Sequence, residues 1–286
     1  MPSSFSPSVA AIVLAYHPDE DIVRNVQALR VQVPRVYIVN NSPDAKSKPV
    51  LDRLAADAAV TVLNQDDNVG VAAGFNAGMR AALAAGFDFL WIFDQDSTVT
   101  DGALTTLIAA HAALGPSAGV IGPALRSHAT GRIYRRESGT GTADVDVVIS
   151  SGSLFSRELV ERIGMHDEPL FIDYVDHDIC LRARRYGLRN QKVFGAILDH
   201  RFGDSHSTTL LGRRVYLSNY SPMRQYYMAR NRVILIKRFG IGRWFWEDLA
   251  FTSKAWVKVL LREKDRRTKI TAFLRGWRDG LRYPTR

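Results

Sequence analysis

The sequence predicts an α/β fold in which a mostly parallel sheet carries helices on both faces, followed by a basic helical extension. Apolar and helical segments alternate along the first half of the chain, which is typical of a doubly wound sheet. Polar residues follow several apolar segments, at the sheet edge where such folds bind ligands. Charge marks the extension, because residues 201–286 carry 20 Lys and Arg against 6 Asp and Glu, whereas residues 1–200 carry 18 against 23.

Each predicted strand of the first half is a short apolar run that ends at polar or turn-forming residues. Residues 9–16, VAAIVLAY, are continuously apolar, which is typical of a parallel strand buried on both faces. Further strands are predicted at residues 36–39, 60–63, 87–93 and 119–122. Their ends carry the polar residues Tyr16, Asn41, Asn64, Asn68, Asp94 and Asp96.

Helices are predicted between these strands. Asp19 is a typical N-cap residue for the first helix, and the third is rich in alanine. The predicted helices cover residues 19–31, 46–58, 70–85 and 104–114.

The second half of the chain follows a different pattern. Residues 126–144 are rich in Gly, Ser, Thr and Arg and predict a long loop or an irregular hairpin. Residues 204–217 are polar and predict a flexible loop. Between them, strands are predicted at residues 145–149 and 193–198, and helices at residues 157–163 and 175–186. From residue 222 the pattern is helical, with breaks near Gly240 and Lys264. We therefore expect a catalytic domain over residues 1–221, with halves at about 8–125 and 126–221, and a helical region over 222–286.

Composition excludes several protein classes. The chain of 286 residues is 46% hydrophobic, so it can form a core. Its longest apolar run, residues 9–16, is far shorter than the roughly 20 residues of a membrane-spanning helix. The N-terminus lacks a signal-peptide pattern, and the single cysteine, Cys180, excludes an internal disulfide. We expect a cytoplasmic protein.

Two carboxylates follow the most apolar predicted strand, in the run Asp94-Gln95-Asp96. Paired carboxylate oxygens suit Mg²⁺ or Mn²⁺, which neutralises a diphosphate. The alternative is that both residues form a turn or cap the next helix. His200 also follows a predicted strand, and it is either a further metal ligand or a structural histidine.

A glycine motif opens the third predicted helix. Gly70, Gly74 and Gly78 are four residues apart, with Asn68 and Asn76 among them. Such glycines allow close approach to a ligand, or else tight packing of a helix on a sheet. The first strand is followed by His17-Pro18-Asp19 rather than by glycines, which argues against a dinucleotide oxidoreductase.

Three carboxylates, Asp173, Asp176 and Asp178, lie within six residues at a predicted helix start. Clustered acids complement the helix dipole, or they raise one another's pKa and supply a general base. Cys180 has apolar neighbours and is expected to be a core residue rather than a nucleophile.

Taken in order, these segments resemble the inverting family-two glycosyltransferases, most closely their bacterial rhamnosyltransferase branch. The resemblance covers residues 8–240. The matching pieces are Val39-Asn40-Asn41-Ser42, the motif from Asn68 to Gly78, Trp91-Ile92-Phe93-Asp94-Gln95-Asp96-Ser97, Ser151-Gly152-Ser153-Leu154, Phe171-Ile172-Asp173-Tyr174-Val175-Asp176, Cys180-Leu181-Arg182 and Tyr226-Tyr227 to Arg230-Asn231.

This resemblance implies the GT-A fold, a Rossmann-like sheet, and transfer of a sugar with inversion from a nucleotide-sugar donor, most often dTDP-β-L-rhamnose. It implies nucleotide-sugar contacts from Tyr16, Asn41, Asn68, Gly70, Gly74, Asn76, Asp94 and Gln95. It implies that Asp96, Asp94 and His200 bind Mg²⁺ or Mn²⁺ on the diphosphate. Acceptor contacts are expected from Ser151, Gly152, Tyr227 and Arg230.

The resemblance also implies that Asp176 is the general base, matching the second acid of the family's Glu-Asp pair. The preceding residue is Val175 rather than Glu, so Asp173 and Asp178 remain candidates. An inverting transfer needs a base and a Lewis acid but no covalent nucleophile.

The basic helical region alternates aromatic and basic residues around Trp244, Trp246, Phe251 and Trp256. That pattern favours a helix lying on an anionic membrane surface, and the alternative is a helix pair packed on the catalytic domain or on a second subunit. A polyprenyl-diphosphate-linked glycan acceptor would fit the first possibility. The predicted role is then the assembly of a bacterial surface polysaccharide such as O-antigen, by a peripheral protein of the cytoplasmic membrane.

The sequence leaves three alternatives to a rhamnosyltransferase to consider. The same fold can take a UDP-hexose or a galactofuranose donor. A nucleotidyltransferase usually carries a glycine-rich basic loop after its first strand, and His17-Pro18-Asp19 is not such a loop. A basic nucleic-acid-binding protein would carry its charge across the folded body. Since residues 1–200 are net negative, we expect no nucleic-acid partner.

Overall fold

The computed structural model describes residues 7–127, 131–134, 137–200, 206–210, 213–217, 219–263 and 265–284. The chain divides into two compact units. The first comprises Met1–Phe171 and Val175–Arg201, and the second comprises Ile172–Tyr174 and Phe202–Arg286. The division at residue 201 precedes the expected boundary at residue 221, and the second unit includes a short segment from the middle of the chain.

The first unit alternates strands and helices in the expected order. Its strands in the described residues are β1 Val9–Ala15, β2 Arg35–Asn40, β3 Val60–Asn64, β4 Phe89–Asp94, β5 Ser97–Val99, β6 Ala118–Ser127, β7 Thr142–Val145, β8 Ser153–Ser156 and β9 Arg189–His200. Its helices are α1 Asp21–Arg30, α2 Lys48–Ala55, α3 Gly70–Ala84, α4 Ala103–Leu114, α5 Arg157–Ile163 and α6 Val175–Arg185.

These strands form one sheet, in the order β3-β2-β1-β4-β8-β6-β9-β5, with β7 paired to β9. Neighbours from β3 to β4 are parallel, as are β6 and β9. Strand β8 is antiparallel to both β4 and β6, and β5 and β7 are antiparallel to β9. The sheet is therefore mixed: the strands from β3 to β4 are parallel as predicted, and β6 and β9 form a second parallel pair among antiparallel neighbours.

Helices cover both faces of the sheet, as predicted. Along β1, Val9, Ala11 and Val13 pack into a core that includes α1, α2 and α4, whereas Ile12 and Leu14 pack into a core that includes α3, α5 and α6. Because successive strand residues point to opposite faces, a continuous apolar strand needs exactly such a double cover.

The second unit contains a hairpin and three helices among its described residues. Strands β10 His206–Leu210 and β11 Arg213–Leu217 are antiparallel, and the helices are α7 Pro222–Phe239, α8 Arg243–Arg262 and α9 Arg266–Arg282. Helices α7 and α9 approach closely, because a Cβ on Gly276 would lie 2.1 Å from the Tyr226 carbonyl oxygen. Both predicted helix breaks are confirmed, with Gly240 in the left-handed region at φ 75°.

Three local predictions were wrong. The described parts of residues 204–217 form a hairpin rather than a loop, since their polar and β-branched residues pair with each other. The strand predicted at residues 145–149 lies at Thr142–Val145, inside the predicted loop, because it pairs with β9. Strand β9 is longer than the apolar run at residues 193–198.

No helix in the described part of the chain is long and apolar enough to cross a membrane.

Candidate active site

The ends of three parallel strands bring polar residues to one edge of the sheet. Ala15 pairs with Asn40, and Leu14 pairs with Asp94, so Tyr16, Asn41 and Asp94 follow neighbouring strands at the same level. This matches the predicted ligand edge.

Tyr16 and Gln95 are held together at this edge. The Tyr16 N–H donates to the Gln95 side-chain oxygen at 2.8 Å, and the Gln95 amide donates to the Tyr16 carbonyl at 3.0 Å. The Tyr16 side chain is left about half exposed. The structure thus brings two of the predicted nucleotide-sugar residues into contact.

Asn41 organises the loop that precedes α3. It is 3% exposed, and its Oδ1 accepts the Val69 N–H at 2.9 Å. Its Nδ2 donates to Asn68 Oδ1 at 3.1 Å and to the Gly70 carbonyl at 3.3 Å. Its carboxamide is used within the chain, so the structure gives Asn41 a role in shaping the loop, whereas Asn68 is exposed and accessible to a ligand.

The glycines of α3 have packing reasons. A Cβ on Gly74 would lie 2.4 Å from Leu14 Cδ1, so this position allows the helix to approach β1. Gly70 has φ +84°, and a Cβ there would lie 2.5 Å from the Phe171 ring and 2.7 Å from its carbonyl oxygen. Tight packing of the helix on the sheet, the second possibility raised by the sequence, therefore accounts for Gly74. At position 70 glycine is needed because its φ is positive and because Phe171 leaves no room for a side chain.

Asn76 is 2% exposed and connects α3 to the segment after α5. Its Nδ2 donates to the His166 carbonyl and to Glu168 Oε1, both at 2.9 Å, and its Oδ1 accepts the His166 N–H at 3.0 Å. These contacts contradict a direct role for Asn76 in nucleotide-sugar binding, because its buried carboxamide already bonds to the chain.

Ser151 and Gly152 support the end of β4 rather than an open surface. Ser151 is 1% exposed, and its Oγ accepts the Asp94 N–H at 3.1 Å. The Gly152 N–H donates to the Ile92 carbonyl at 2.7 Å, and its carbonyl accepts from Trp91 Nε1 at 2.9 Å. The predicted acceptor contact is therefore corrected, because Ser151 is buried and fixes Asp94.

Two of the predicted metal ligands lie at or just after the end of β4. Asp94 ends that strand, and Asp96 lies in the turn before β5, with Oδ1 buried. The backbone of His200 pairs with that of Ser97, directly after Asp96, while the His200 side chain lies outside the described residues. The carboxylates of Asp94 and Asp96 are of the chemical type that a hard divalent ion prefers. Among the described side chains, no group of three potential ligands is assembled.

Asn25 is a site residue that the sequence analysis missed. It is 3% exposed on α1, and its Nδ2 donates to the Gln95 carbonyl at 2.6 Å, while its Oδ1 accepts from Thr98. It thereby holds the turn that carries Asp96. A polar residue on the apolar face of a helix, beside Ile22 and Val26, was the available signal.

The three candidate bases have different environments. The Asp178 side chain is 1% exposed, and Oδ2 accepts from Arg182 Nε at 2.8 Å. Arg182 also donates to the Ile163 and Met165 carbonyls, both at 2.7 Å. Asp178 therefore stabilises the packing of α6, and the structure contradicts its candidacy as the base.

Asp176 lies in the first turn of α6, and its side chain is 23% exposed. Its Oδ1 accepts from the His177 N–H and from His177 Nδ1, both at 2.8 Å. Burial alone raises the pKa of this carboxyl, but the His177 charge and hydrogen bonds outweigh burial, so the pKa lies below its usual range. Asp176 is thus ionised at neutral pH, with part of its side chain accessible.

Asp173 belongs to the second unit and is paired there. Arg224 donates to both of its carboxylate oxygens, at 2.5 Å from Nη2 and 3.2 Å from Nε. This bidentate pair engages both carboxylate oxygens of Asp173. This contact between residues distant in sequence had no signal in the pattern, and it favours Asp176 over Asp173 as the base.

The predicted acceptor residues of α7 meet in the second unit. The Arg230 guanidinium lies over the Tyr227 ring at 4.8 Å and over the Tyr283 ring at 5.8 Å. Such stacking orients the guanidinium, whose Nε donates to Asn231 Oδ1 at 3.0 Å.

Helices α8 and α9 each expose large apolar side chains. On α8 and α9 these residues follow helical spacing: Trp246, Leu249, Val257, Leu260, Leu261, Leu274, Trp277 and Leu281. Exposed basic residues accompany them, including Arg243, Lys254, Arg275 and Arg278. We call this set the apolar face of α8 and α9.

Cys180 lies in the core, as predicted. It is 0% exposed, and its Sγ contacts the Val148 N–H and carbonyl at 3.4 and 3.6 Å. Burial raises the pKa of this thiol well above its usual range, so the residue is not a nucleophile.

Comparisons with known proteins agree with this geometry. The family model described as glycosyl transferase family 2 matches residues 10–169. A dTDP-rhamnosyl transferase RfbF of Shigella flexneri is 29% identical over 249 residues, covering 81% of this chain and 80% of that protein. The galactofuranosyltransferase GlfT1 of Mycobacterium tuberculosis (strain ATCC 25618 / H37Rv) is 27% identical over 298 residues, covering 92% and 97%.

A solved structure supports the fold. The Staphylococcus aureus protein TarS, residues 1–349 in complex with UDP-GlcNAc, matches with a TM-score of 0.60 at 15% identity, covering 94% of this chain and 81% of that one. The central sheet, the strand-end site and these matches confirm the predicted GT-A fold. The chain is a glycosyltransferase and belongs to glycosyl transferase family 2.

Proposed function

We propose that this glycosyltransferase transfers L-rhamnose, with inversion, from dTDP-β-L-rhamnose to a hydroxyl of a lipid-linked bacterial glycan. The observation that carries the proposed chemistry is the state of Asp176, an ionised carboxylate on a side chain that is 23% exposed at the start of α6. The other two acids of the cluster are each paired with an arginine. The donor proposal is supported by the 29% identity to a protein named dTDP-rhamnosyl transferase.

In the proposed reaction, Asp176 accepts the proton of the acceptor hydroxyl as that oxygen attacks the anomeric carbon. The bond between that carbon and the diphosphate oxygen breaks, and dTDP leaves with the electron pair. A single displacement inverts the configuration and needs no covalent intermediate. Ionisation below neutral pH favours Asp176 for this task, since a base must be deprotonated before the reaction.

The nucleotide sugar is assigned to the edge of the sheet near β1 and β4. Tyr16 offers a half-exposed ring, and Gln95, fixed against it, shapes the same edge. Exposed Asn68 and the loop around Gly70 form a second wall. Asp94, Asp96 and His200 would hold Mg²⁺ or Mn²⁺, which would supply charge neutralisation for the leaving diphosphate.

The acceptor is assigned to the second unit. Stacked Arg230 and Tyr227 suit a phosphate or a sugar of a polyprenyl-diphosphate-linked glycan. The apolar face of α8 and α9 suits an anionic membrane surface, because exposed apolar side chains stand beside bases in a segment of net charge +14, from 20 minus 6.

The test is release of nucleoside diphosphate from a panel of nucleotide sugars by the purified protein with a polyprenyl-linked acceptor extract. The panel contains dTDP-rhamnose, UDP-galactofuranose, UDP-glucose and GDP-mannose, each with Mn²⁺, Mg²⁺ or EDTA. We expect release from dTDP-rhamnose alone, abolished by EDTA and by Asp96→Ala.

Other outcomes identify which part fails. Release from UDP-galactofuranose would overturn the rhamnose donor and support the alternative that the GlfT1 relatives suggest at 27% identity. Release that is unaffected by EDTA would overturn the metal site. Thermal-shift binding of dTDP against UDP gives a second readout, which does not depend on the acceptor.

A further inference from the structure

The segment directly before α6 has an unusual backbone. Phe171, Asp173 and Tyr174 have φ values of 65°, 63° and 63°. Residues with a Cβ are strained in this left-handed region, and they remain there only when surrounding contacts determine the conformation. Ile172–Tyr174 group with the second unit, although the residues on either side group with the first. Contacts from the helical extension therefore hold residues 172–174 of this segment.

Asn231 of α7 provides the central contact. It is 0% exposed, and its Nδ2 donates to the Ile172 and Asp173 carbonyls, both at 2.9 Å. Its Oδ1 accepts from Arg230 Nε at 3.0 Å, which fixes the orientation of the carboxamide. One buried side chain thus holds two successive peptide groups of the strained segment.

Two further contacts secure the same segment. Arg224 pairs with the Asp173 carboxylate. The Tyr174 hydroxyl donates to Asp248 Oδ1 at 2.8 Å, and Asp248 in turn accepts from Arg232 Nε at 2.7 Å. The backbone and both polar side chains of the segment are therefore bound by α7 and α8.

The other end of the segment is fixed inside the first unit. The Phe171 carbonyl accepts the Val71 N–H at 2.6 Å and the Ala72 N–H at 3.3 Å, at the start of α3. The chain is thus held on the glycine-motif side at Phe171 and by α7 at Ile172 and Asp173. Helix α6 begins at Val175, directly after Tyr174, so these dihedral angles set the position of its first turn.

We propose that Asn231 is a positioning residue for the general base. By holding the Ile172 and Asp173 peptide groups it fixes the backbone that leads directly into α6, and with it the Asp176 carboxylate. Arg224 serves the same purpose through Asp173. This inference rests on the proposed role of Asp176.

The test compares Asn231→Leu with wild type in the donor assay. Leucine has a similar size but cannot donate to the two carbonyls. We expect kcat to fall roughly 10- to 100-fold, since a small displacement of a catalytic group is costly, while the KM for the donor changes less than about twofold. An unchanged kcat, or a loss confined to KM, would overturn the proposal.

Gln32→Leu is the matched control. The Gln32 carboxamide also donates to two backbone carbonyls, those of Ala28 and Thr100, both at 3.3 Å, but far along the chain from this segment. We expect it to lower thermal stability and to leave kcat unchanged at low temperature. An equal loss of kcat in both variants would show a general effect of destabilisation and would overturn the proposal.

Arg224 variants keep the test decisive if Asn231→Leu does not fold. The Arg224 side chain is 35% exposed, so its replacement is compatible with folding. We expect Arg224→Gln to lower kcat several-fold and Arg224→Lys, which retains the charge opposite Asp173, to restore most of it. Equal activity in both variants would count against the proposal.

Hydrogen exchange separates this inference from the proposed function, because it needs no substrate. Backbone amides of residues 171–178 should exchange faster in Asn231→Leu and Arg224→Gln than in wild type, and not in Gln32→Leu. Unchanged exchange would overturn the positioning role. Faster exchange in a protein that hydrolyses no donor would retain the role and overturn the proposed function.

Discussion

Arg182 binds Asp178 across one turn of α6, with 2.8 Å between Nε and Oδ2 and with the Asp178 side chain 1% exposed. This pair distinguishes Asp178 from Asp176, which the sequence alone does not. The Asp178 carboxylate pairs with the Arg182 guanidinium, which also donates to the carbonyls of Ile163 and Met165. The Asp176 side chain, two residues earlier, is 23% exposed.

Substitution of the two acids should therefore affect different properties, catalysis for Asp176 and stability for Asp178. Asp176→Asn should lower kcat by roughly 10²- to 10⁴-fold, the usual contribution of a general base, and leave the melting temperature almost unchanged. Asp178→Asn should lower the free energy of unfolding by about 3–5 kcal/mol, because Arg182 would lose its buried partner. Donor turnover and thermal denaturation measure the two effects, and a catalytic loss confined to Asp178→Asn would reverse our assignment.

Gly74 tests whether the glycine motif serves packing. Gly74→Ala should lower the free energy of unfolding by about 1–3 kcal/mol, because its Cβ would lie 2.4 Å from Leu14 Cδ1. The KM for the donor should stay unchanged at low temperature. Gly195→Ala is the control, since its Cβ would lie 3.3 Å from the Thr106 methyl group. A raised KM with normal stability would instead indicate ligand contact at Gly74.

His166 should make stability depend on pH. It is 4% exposed between the Phe75 and Phe155 rings, and neither ring nitrogen has a hydrogen-bond partner in the described structure. Burial, with a smaller effect of the Arg182 charge, lowers its pKa to about 3.

Because the pKa of His166 is lower in the folded chain than in the unfolded chain, stability decreases as the pH falls. Below pH 6.5 the unfolded chain binds a proton that the folded chain excludes, so stability is complete above this pH and decreases as the pH falls toward 3. This histidine alone should lower the free energy of unfolding by about 2 kcal/mol between pH 6.5 and pH 5. His166→Phe should flatten that part of the profile in urea denaturation, and an identical slope in both proteins would contradict this account.

The apolar face of α8 and α9 predicts binding to anionic vesicles. Wild type should sediment with phosphatidylglycerol vesicles, less so as salt is raised, and little with phosphatidylcholine alone. Trp246→Glu and Trp277→Glu should each weaken binding by about tenfold, because each removes a large apolar side chain from the lipid contact. Tyr186→Glu is the control, since Tyr186 is 51% exposed in the first unit. Salt-independent binding, or equal losses in all three variants, would exclude this surface.

The sequence predicted the fold well where local chemistry decides structure. The apolar runs of β1 and β4 and the glycine at residue 240 have meanings that hardly depend on distant residues. The prediction failed where pairing decides, as at Thr142–Val145, which is polar but extends because β9 offers it an edge. The ligand edge was predictable for the same local reason, since the polar residues that follow each apolar run mark where the strand ends.

Individual site roles were harder to predict, because they depend on partners far along the chain. Ser151 and Asn76 belong to motifs that suggest ligand contact, yet both are buried and bonded to the backbone. Asp173 resembles Asp176 until Arg224, 51 positions away, is placed beside it. No spacing rule in a single sequence reveals such pairs.

Cys180 gives the molecule a practical property. It is the chain's one cysteine, and its thiol is fully buried with a raised pKa. Water-soluble alkylating reagents should therefore not react with it. A spectroscopic label attached to a new surface cysteine would then report from one known position, without a background signal. Pairs of such labels would let the distance between the two units be followed in solution while donor, acceptor and membrane are added one at a time.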